Sequence, residues 1–210
     1  MARYRDAVCK LCRAEGTKLF LKSDRCNSFK CAMEKKAYGP GMHGGARRFK
    51  KSEFGVQLRE KQKAKRFYGL LEKQFKNYFK MAEKLEGMTG ANLLILIERR
   101  LDNFVVKSGL VKSKSQARQM IVHGHFLVNA KKVDIPSFLL GEGDIITVKE
   151  SSKNLPIFKA LKEETKAAIL VPTWVEFSLD KLEAKVLRLP VREDITNPIN
   201  EQLIVELYSK

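Results

Sequence analysis

Apolar positions recur at helical spacing through the middle of the chain and then switch to strand spacing. Leu71, Phe75, Tyr78, Phe79, Ala82 and Leu85 fall on one stripe that Gly87 stops. That spacing marks the aromatics as core rather than as platforms for bases. Thr89 opens a strongly apolar region, Leu93, Leu94, Ile97, Leu101, Phe104 and Val105, ending near Gly109. A further helix starts at Ser113, which with Gln116 makes a capping box, and ends at Gly124. Ala117, Met120 and Ile121 are its inward face, and Lys114 and Arg118, four apart, project from its outer face. His125–Val128 then reads as a strand, turning at Asn129-Ala130 into Lys131-Lys132-Val133. Asn suits that tight turn, but Ala tolerates positive φ poorly. Gly141–Asp144 is another turn, before the β-branched strand Ile145–Val148.

On either side the pattern is again helical. Ser52 caps a helix beginning at Glu53 that carries Arg59, Lys61, Lys63, Lys65 and Arg66. So many like charges weaken an isolated helix and imply phosphates beside it. Pro156–Ala168 suits an amphipathic helix with Ile157, Leu161 and Thr165 on one side, and Trp174–Phe177 with Lys185–Leu189 suits a strand pair. Asn200 caps a last helix with Leu203, Ile204 and Leu207 inward. The expected fold class is α+β. A basic metal-binding extension spans 1–50, and a helical domain spans 51–98, completed by 170–210. Between them 99–165 is an inserted module of two helices packed on a small curled antiparallel sheet.

Charge gives the chain a partner. Its 210 residues hold 41 Lys+Arg against 24 Asp+Glu, a net of +17, which points to a polyanion. Residues 1–86 carry 23 basic against 9 acidic side chains, 99–149 carry 9 against 4, and 150–210 carry 9 against 10. No apolar run approaches the roughly 20 residues of a membrane span, and Met1–Asp6 shows no apolar signal region. The expectation is a cytoplasmic, nucleic-acid-bound protein with no membrane partner.

The cysteines, Cys9, Cys12, Cys26 and Cys31, form two close pairs with 13 residues between them. Each pair can bite one metal and the loop lets the two converge, so structural Zn(2+) is expected, with an iron–sulfur cluster as the chemical rival. Lys10, Arg13, Arg25 and Lys30 flank the thiols and favour their ionisation. Four protein ligands close such a site, so it is structural, not catalytic. The Gly- and Pro-dense Tyr38–Gly45 follows, and then Arg47, Arg48, Lys50 and Lys51, a set suited to phosphate contact. A histidine alone in that loop, His43, reads as a polar contact rather than a fifth ligand.

Nothing argues for catalysis. No phosphate-cradling glycine loop with lysine occurs, and the three histidines make no nucleophile–base pair. His123 and His125 straddle Gly124 at a helix end, where protonated imidazole is favoured, and read as RNA contacts or caps.

Arg99-Arg100-Leu101-Asp102-Asn103, Ser113-x-Ser115-x-Ala117-Arg118-Gln119, His123-Gly124-His125-x-x-Val128-Asn129 and Gly143-Asp144 together resemble the S-four RNA-binding domain. That domain also occurs on RNA-modifying enzymes, and a metal-dependent nucleic-acid-binding regulator is the other alternative. Gly39-Pro40-Gly41-x-His43-Gly44, Ser52–Lys63 and Ile199–Lys210 extend the likeness over essentially the whole chain, to the family of bacterial ribosomal small-subunit protein four. Ala130 departs from that family's usual turn glycine. The four cysteines match its metal-bearing members.

The resemblance implies a non-enzymatic structural protein that binds small-subunit rRNA and nucleates assembly of the 5′ domain. It also implies contact with small-subunit protein five, a place near the channel where mRNA enters, and a part in translational accuracy. No small-molecule substrate is expected. The residues expected to hold RNA are Arg47, Arg48, Lys50, Lys51, Arg59, Lys63 and Arg66, with Lys112, Lys114, Arg118, Gln119, His125 and Lys131 in the module. Binding would come from phosphate neutralisation, with shape giving most specificity.

Overall fold

The computed structural model describes residues 4–45, 50–163 and 171–209. The chain divides into two units, one of Met1–Leu93 with Asn197–Lys210 and one of Leu94–Thr196.

The first unit is helical. Short helices α1 (Cys9–Glu15), α2 (Asp24–Asn27) and α3 (Ala32–Lys35) lead into α4 (Glu53–Phe67) and α5 (Glu72–Ala82). Ser52 caps α4, its hydroxyl accepting the Gly55 N–H at 3.2 Å. Phe75, Tyr78, Phe79 and Ala82 are buried, the stripe expected of them. Leu85 lies past the end of α5 and is exposed. The chain's last helix, α10 (Glu201–Tyr208), returns to this unit and packs on α4. Asn200 caps it by accepting the Gln202 N–H at 3.1 Å. Tyr208 packs between α10 and α5, its ring 4.4 Å from that of Phe79. Gln57 donates to Glu206 at 3.0 Å, and the Asn200 N–H donates to Glu60 at 2.8 Å. At Gly90, early in α6 (Thr89–Glu98), a Cβ would lie 2.7 Å from Glu201 Cγ, so only glycine lets α10 come this close.

The second unit contains α7 (Leu101–Lys107), α8 (Lys114–Val122) and α9 (Pro156–Glu163) with one antiparallel sheet. Its strands β1 (Phe126–Val128), β2 (Lys131–Lys132), β3 (Ile145–Val148), β4 (Val175–Ser178) and β5 (Glu183–Val186) run in the order β2-β1-β3-β5-β4. Register sets Phe126 against Val148, Val128 against Ile146, and Ile146 against Ala184. Alternate strand residues (Phe126, Val128, Ile146, Val148, Ala184 and Val186) are therefore buried. They meet Leu101, Phe104 and Val105 of α7, Ala117, Met120 and Ile121 of α8, and Trp174, whose ring lies 5.7 Å from that of Phe104.

Two expectations need correction. Residues 170–210 do not complete the helical domain as a block: the β4–β5 hairpin extends the module's sheet, and the helical unit regains the chain only at Asn197. The physical reason is that β3 would otherwise be an open edge, and β5 pairs with it. The module thus runs well past residue 165. In α9 the inward residues are Phe158 and Leu161, while Ile157 is exposed; Thr165 and Ala168 lie outside the described residues. The turn Asn129-Ala130 does form, with φ of 49° and 64°. Ala130 therefore sits in the left-handed region that a type I′ turn demands and that glycine would occupy without strain.

Candidate nucleic-acid interface

Helix α8 was expected to offer its cations Lys114 and Arg118 outward, and it does not. Its start is as anticipated, with Ser113 Oγ accepting the Gln116 N–H at 3.3 Å. Its exposed face carries Ser115, Gln119 and Val122, with Lys112 exposed just before it. Arg118, however, is buried at 8% exposure and faces Asp102 at 3.9 Å. Asp102 is held in turn by Arg100, whose Nε and Nη2 donate to its two oxygens at 2.9 and 2.6 Å. Lys114 is half-buried, and its ammonium lies in the field of Glu98, Lys107, Asp102 and Arg100. Burial lowers it to about 7, with Glu98 pulling the other way and Lys107 adding to the fall. The outer-face reading of Lys114 and Arg118 is thus corrected. Both turn toward the ionic groups that join the end of α6 to α7 and α8, because Glu98 and Asp102 are buried acids that require cations.

A similar correction applies to α4. Arg59 and Arg66 converge on Glu15, the first at 3.7 Å, the second in closer contact. Lys63 meets Glu60 at 3.2 Å, Lys65 meets Glu72 at 2.9 Å, and Lys61 pairs with Glu72 as well. Burial raises the Glu72 carboxyl, but hydrogen bonds from Lys61 and Lys65 outweigh it and hold the group below its ordinary value. Carboxylates of the protein itself therefore stand beside a helix whose charges seemed to require phosphates. Sequence could not show this, since Glu15 and Arg66 are 51 residues apart.

Lys50 and Lys51 are exposed ahead of α4, and Lys131 is exposed on β2, the edge strand of the sheet. Arg47 and Arg48 lie outside the described residues. The preceding loop is organised by Arg13, which donates to the carbonyls of Tyr38 and Gly39, both at 3.0 Å, with its guanidinium 5.0 Å from the Tyr38 ring. A Cβ at Gly44 would fall 1.9 Å from the Gly39 carbonyl oxygen, so the loop closes backbone on backbone. His125 is half-buried at the end of α8, its Nδ1 2.9 Å from Ser152 Oγ.

Near the N-terminus, Cys12, Cys26 and Cys31 are buried and Cys9 is half-buried; all four are free thiols. The Lys22 N–H donates to Cys26 Sγ at 3.3 Å. Burial raises the Cys12 thiol, the Leu19 backbone opposes that, and Cys26, Cys9 and Cys31 each add to the rise, so the other three thiols lie near enough to act on Cys12. Among the described residues, no three His, Cys, Asp or Glu side chains close on a common metal position. By donor chemistry the four thiols fit a soft ion such as Zn(2+). His43 is exposed in its loop.

Compared with known proteins, residues 3–98 match the family described as "Ribosomal protein S4/S9 N-terminal domain", and residues 99–146 match "S4 domain". The chain is 59% identical to small ribosomal subunit protein uS4A of Alkaliphilus metalliredigens, over 210 residues and the full length of both. It is 54% identical to small ribosomal subunit protein uS4 of Halothermothrix orenii and 55% identical to uS4A of Clostridium acetobutylicum, again end to end. The chain belongs to the uS4 family. The matched S4 domain stops at residue 146, within β3, whereas the compact unit continues through β4 and β5. No described helix is long and apolar enough to cross a membrane.

Proposed function

We propose that the protein is a structural, non-catalytic component of the small ribosomal subunit, working in the cytoplasm bound to small-subunit rRNA. The observation that carries this reading is the end-to-end identity of 54–59% to relatives named small ribosomal subunit protein uS4. The charge of +17 and the exposed cations Lys50, Lys51, Lys112 and Lys131 support it. Gln119 and His125 add polar contacts, and Arg47 and Arg48 extend the basic run before Lys50. Arg59, Lys63, Arg66 and Arg118 hold the scaffold through their carboxylate partners. By family likeness the finer role is nucleating assembly of the 5′ domain. A place beside small-subunit protein five and the incoming mRNA, with a part in accuracy, belongs to the same reading. Filter binding of the purified chain to small-subunit rRNA, with duplex DNA as competitor, tests the reading. Tight binding that duplex DNA fails to displace is expected, and equal affinity for both would overturn it.

We also propose that Cys9, Cys12, Cys26 and Cys31 hold one structural Zn(2+), with an iron–sulfur cluster as the competing occupant. The ion would tie α1 to the segments carrying α2 and α3, and would take no part in RNA chemistry. Elemental analysis should find one zinc per chain, lost in Cys12→Ser/Cys26→Ser. Iron with visible absorption would replace zinc in this account, and a metal-free chain would end it.

A further inference from the structure

The junction between α8 and β1 encloses a group of side chains that the ionic scaffold does not use. A cleft of about 240 Å³ is lined by His123, Gly124, His125, Lys149, Ser151 and Ser152, with Leu155 at one side. The two imidazoles lie 6.0 Å apart between centroids. His125 spends Nδ1 on Ser152 Oγ, which leaves Nε2 for a ligand. The Lys149 N–H donates to the His125 carbonyl at 2.9 Å, fixing one wall to the other. Gly124 has φ of +72°, and a Cβ there would lie 2.4 Å from Lys132 Cε and 3.2 Å from its Nζ. Lys132 of β2 therefore lies across the glycine and brings another ammonium alongside.

The groups gathered about His125 are thus His123 at the end of α8 and Lys149, Ser151 and Ser152 from the turn before α9, with Lys132 of β2 over Gly124. None of the lining residues is acidic. Glu150, in the same turn, is 86% exposed at its side chain and pairs with Lys153 at 2.5 Å. A lysine and two imidazoles in a concavity with hydroxyl donors and no carboxylate among its lining suit an anion. The volume is below the several hundred Å³ of a site for a whole cofactor, so it fits a single oxyanion group.

We propose that this cleft is a phosphate site that grips one backbone phosphodiester of bound RNA with His123, His125 and Lys149. The assignment rests on the rRNA-binding reading above and adds a titratable grip to it. Burial holds the His125 imidazole below its ordinary value, and repulsion from His123 and Lys149 adds to this. A phosphate in the cleft relieves that repulsion, so binding takes up protons and RNA affinity rises as pH falls through the imidazole range.

The test measures affinity of the full chain for small-subunit rRNA from pH 8.5 to 5.5, beside His123→Gln/His125→Gln and Lys149→Gln. The native chain should gain about tenfold on acidification, the effect of one imidazole raised by one unit on binding. The double variant should lose most of that gain, and Lys149→Gln should weaken binding across the range. A double variant that keeps the full gain overturns the site. If neither chain binds rRNA at any pH, the ribosomal reading fails first. In a parallel NMR titration, inorganic phosphate should shift the His123 and His125 ring signals, and rRNA should displace it. Phosphate that shifts both rings but is not displaced by rRNA would make this a free-phosphate site and overturn the RNA assignment.

Discussion

At the scale of single residues, Ala130 is where local chemistry and global fold disagree. Its φ of 64° belongs to a type I′ turn, and a left-handed conformation costs an L-residue about 1–2 kcal/mol. Glycine relieves that strain but adds freedom to the unfolded chain, costing about 0.4–1 kcal/mol. Ala130→Gly should therefore stabilise the protein by roughly 0.5–1 kcal/mol. Denaturant unfolding would show it as a higher midpoint with unchanged slope. A lower midpoint would mean that the turn is not strained. The turn, its register and the awkward alanine were all legible in the sequence, because turn chemistry is local. The fate of Arg118 was not. Its spacing from Lys114 marks a shared face, but whether that face meets solvent or Asp102 depends on a helix packed from sixteen residues away.

At the scale of elements, the helices and strands were readable wherever burial follows a period. The stripe on α5 from Phe75 to Ala82 and the inward face of α8 both hold. What periodicity could not supply was the partner of β3. The β4–β5 hairpin was recognisable as a pair, yet its membership of the module's sheet rests on the pairing of Ile146 with Ala184, 38 residues on.

The ionic cluster joining α6, α7 and α8 also gives an element-scale prediction. Unfolded, Lys114 keeps its proton to about 10.4. Folded, burial makes it release that proton near pH 7, to about 7. Between those values the unfolded chain binds more protons, so folding stability rises with pH across that window. Thermal unfolding from pH 7 to pH 9 should show the native chain gaining on Lys114→Met. A constant difference between the two would contradict the desolvated lysine.

At the scale of the molecule, the charge divides into blocks with different uses. Residues 1–86 carry the greatest excess, 23 basic against 9 acidic, and part of that basic charge holds the helical unit together through Glu15, Glu60 and Glu72. The module has fewer charges but exposes Lys112 and Lys131 and gathers His123, His125 and Lys149 in one cleft. Composition announces a polyanion; only packing separates cations buried beside carboxylates from cations that reach solvent.

The salt dependence of rRNA affinity probes that separation most directly. Each phosphate contact contributes roughly 0.7–0.9 to the slope of log affinity against log salt. Lys50→Ala/Lys51→Ala/Lys131→Ala should bind small-subunit rRNA more weakly and lower the slope by about 2 to 3. A slope equal to that of the native chain would contradict the claim that these exposed cations hold the RNA.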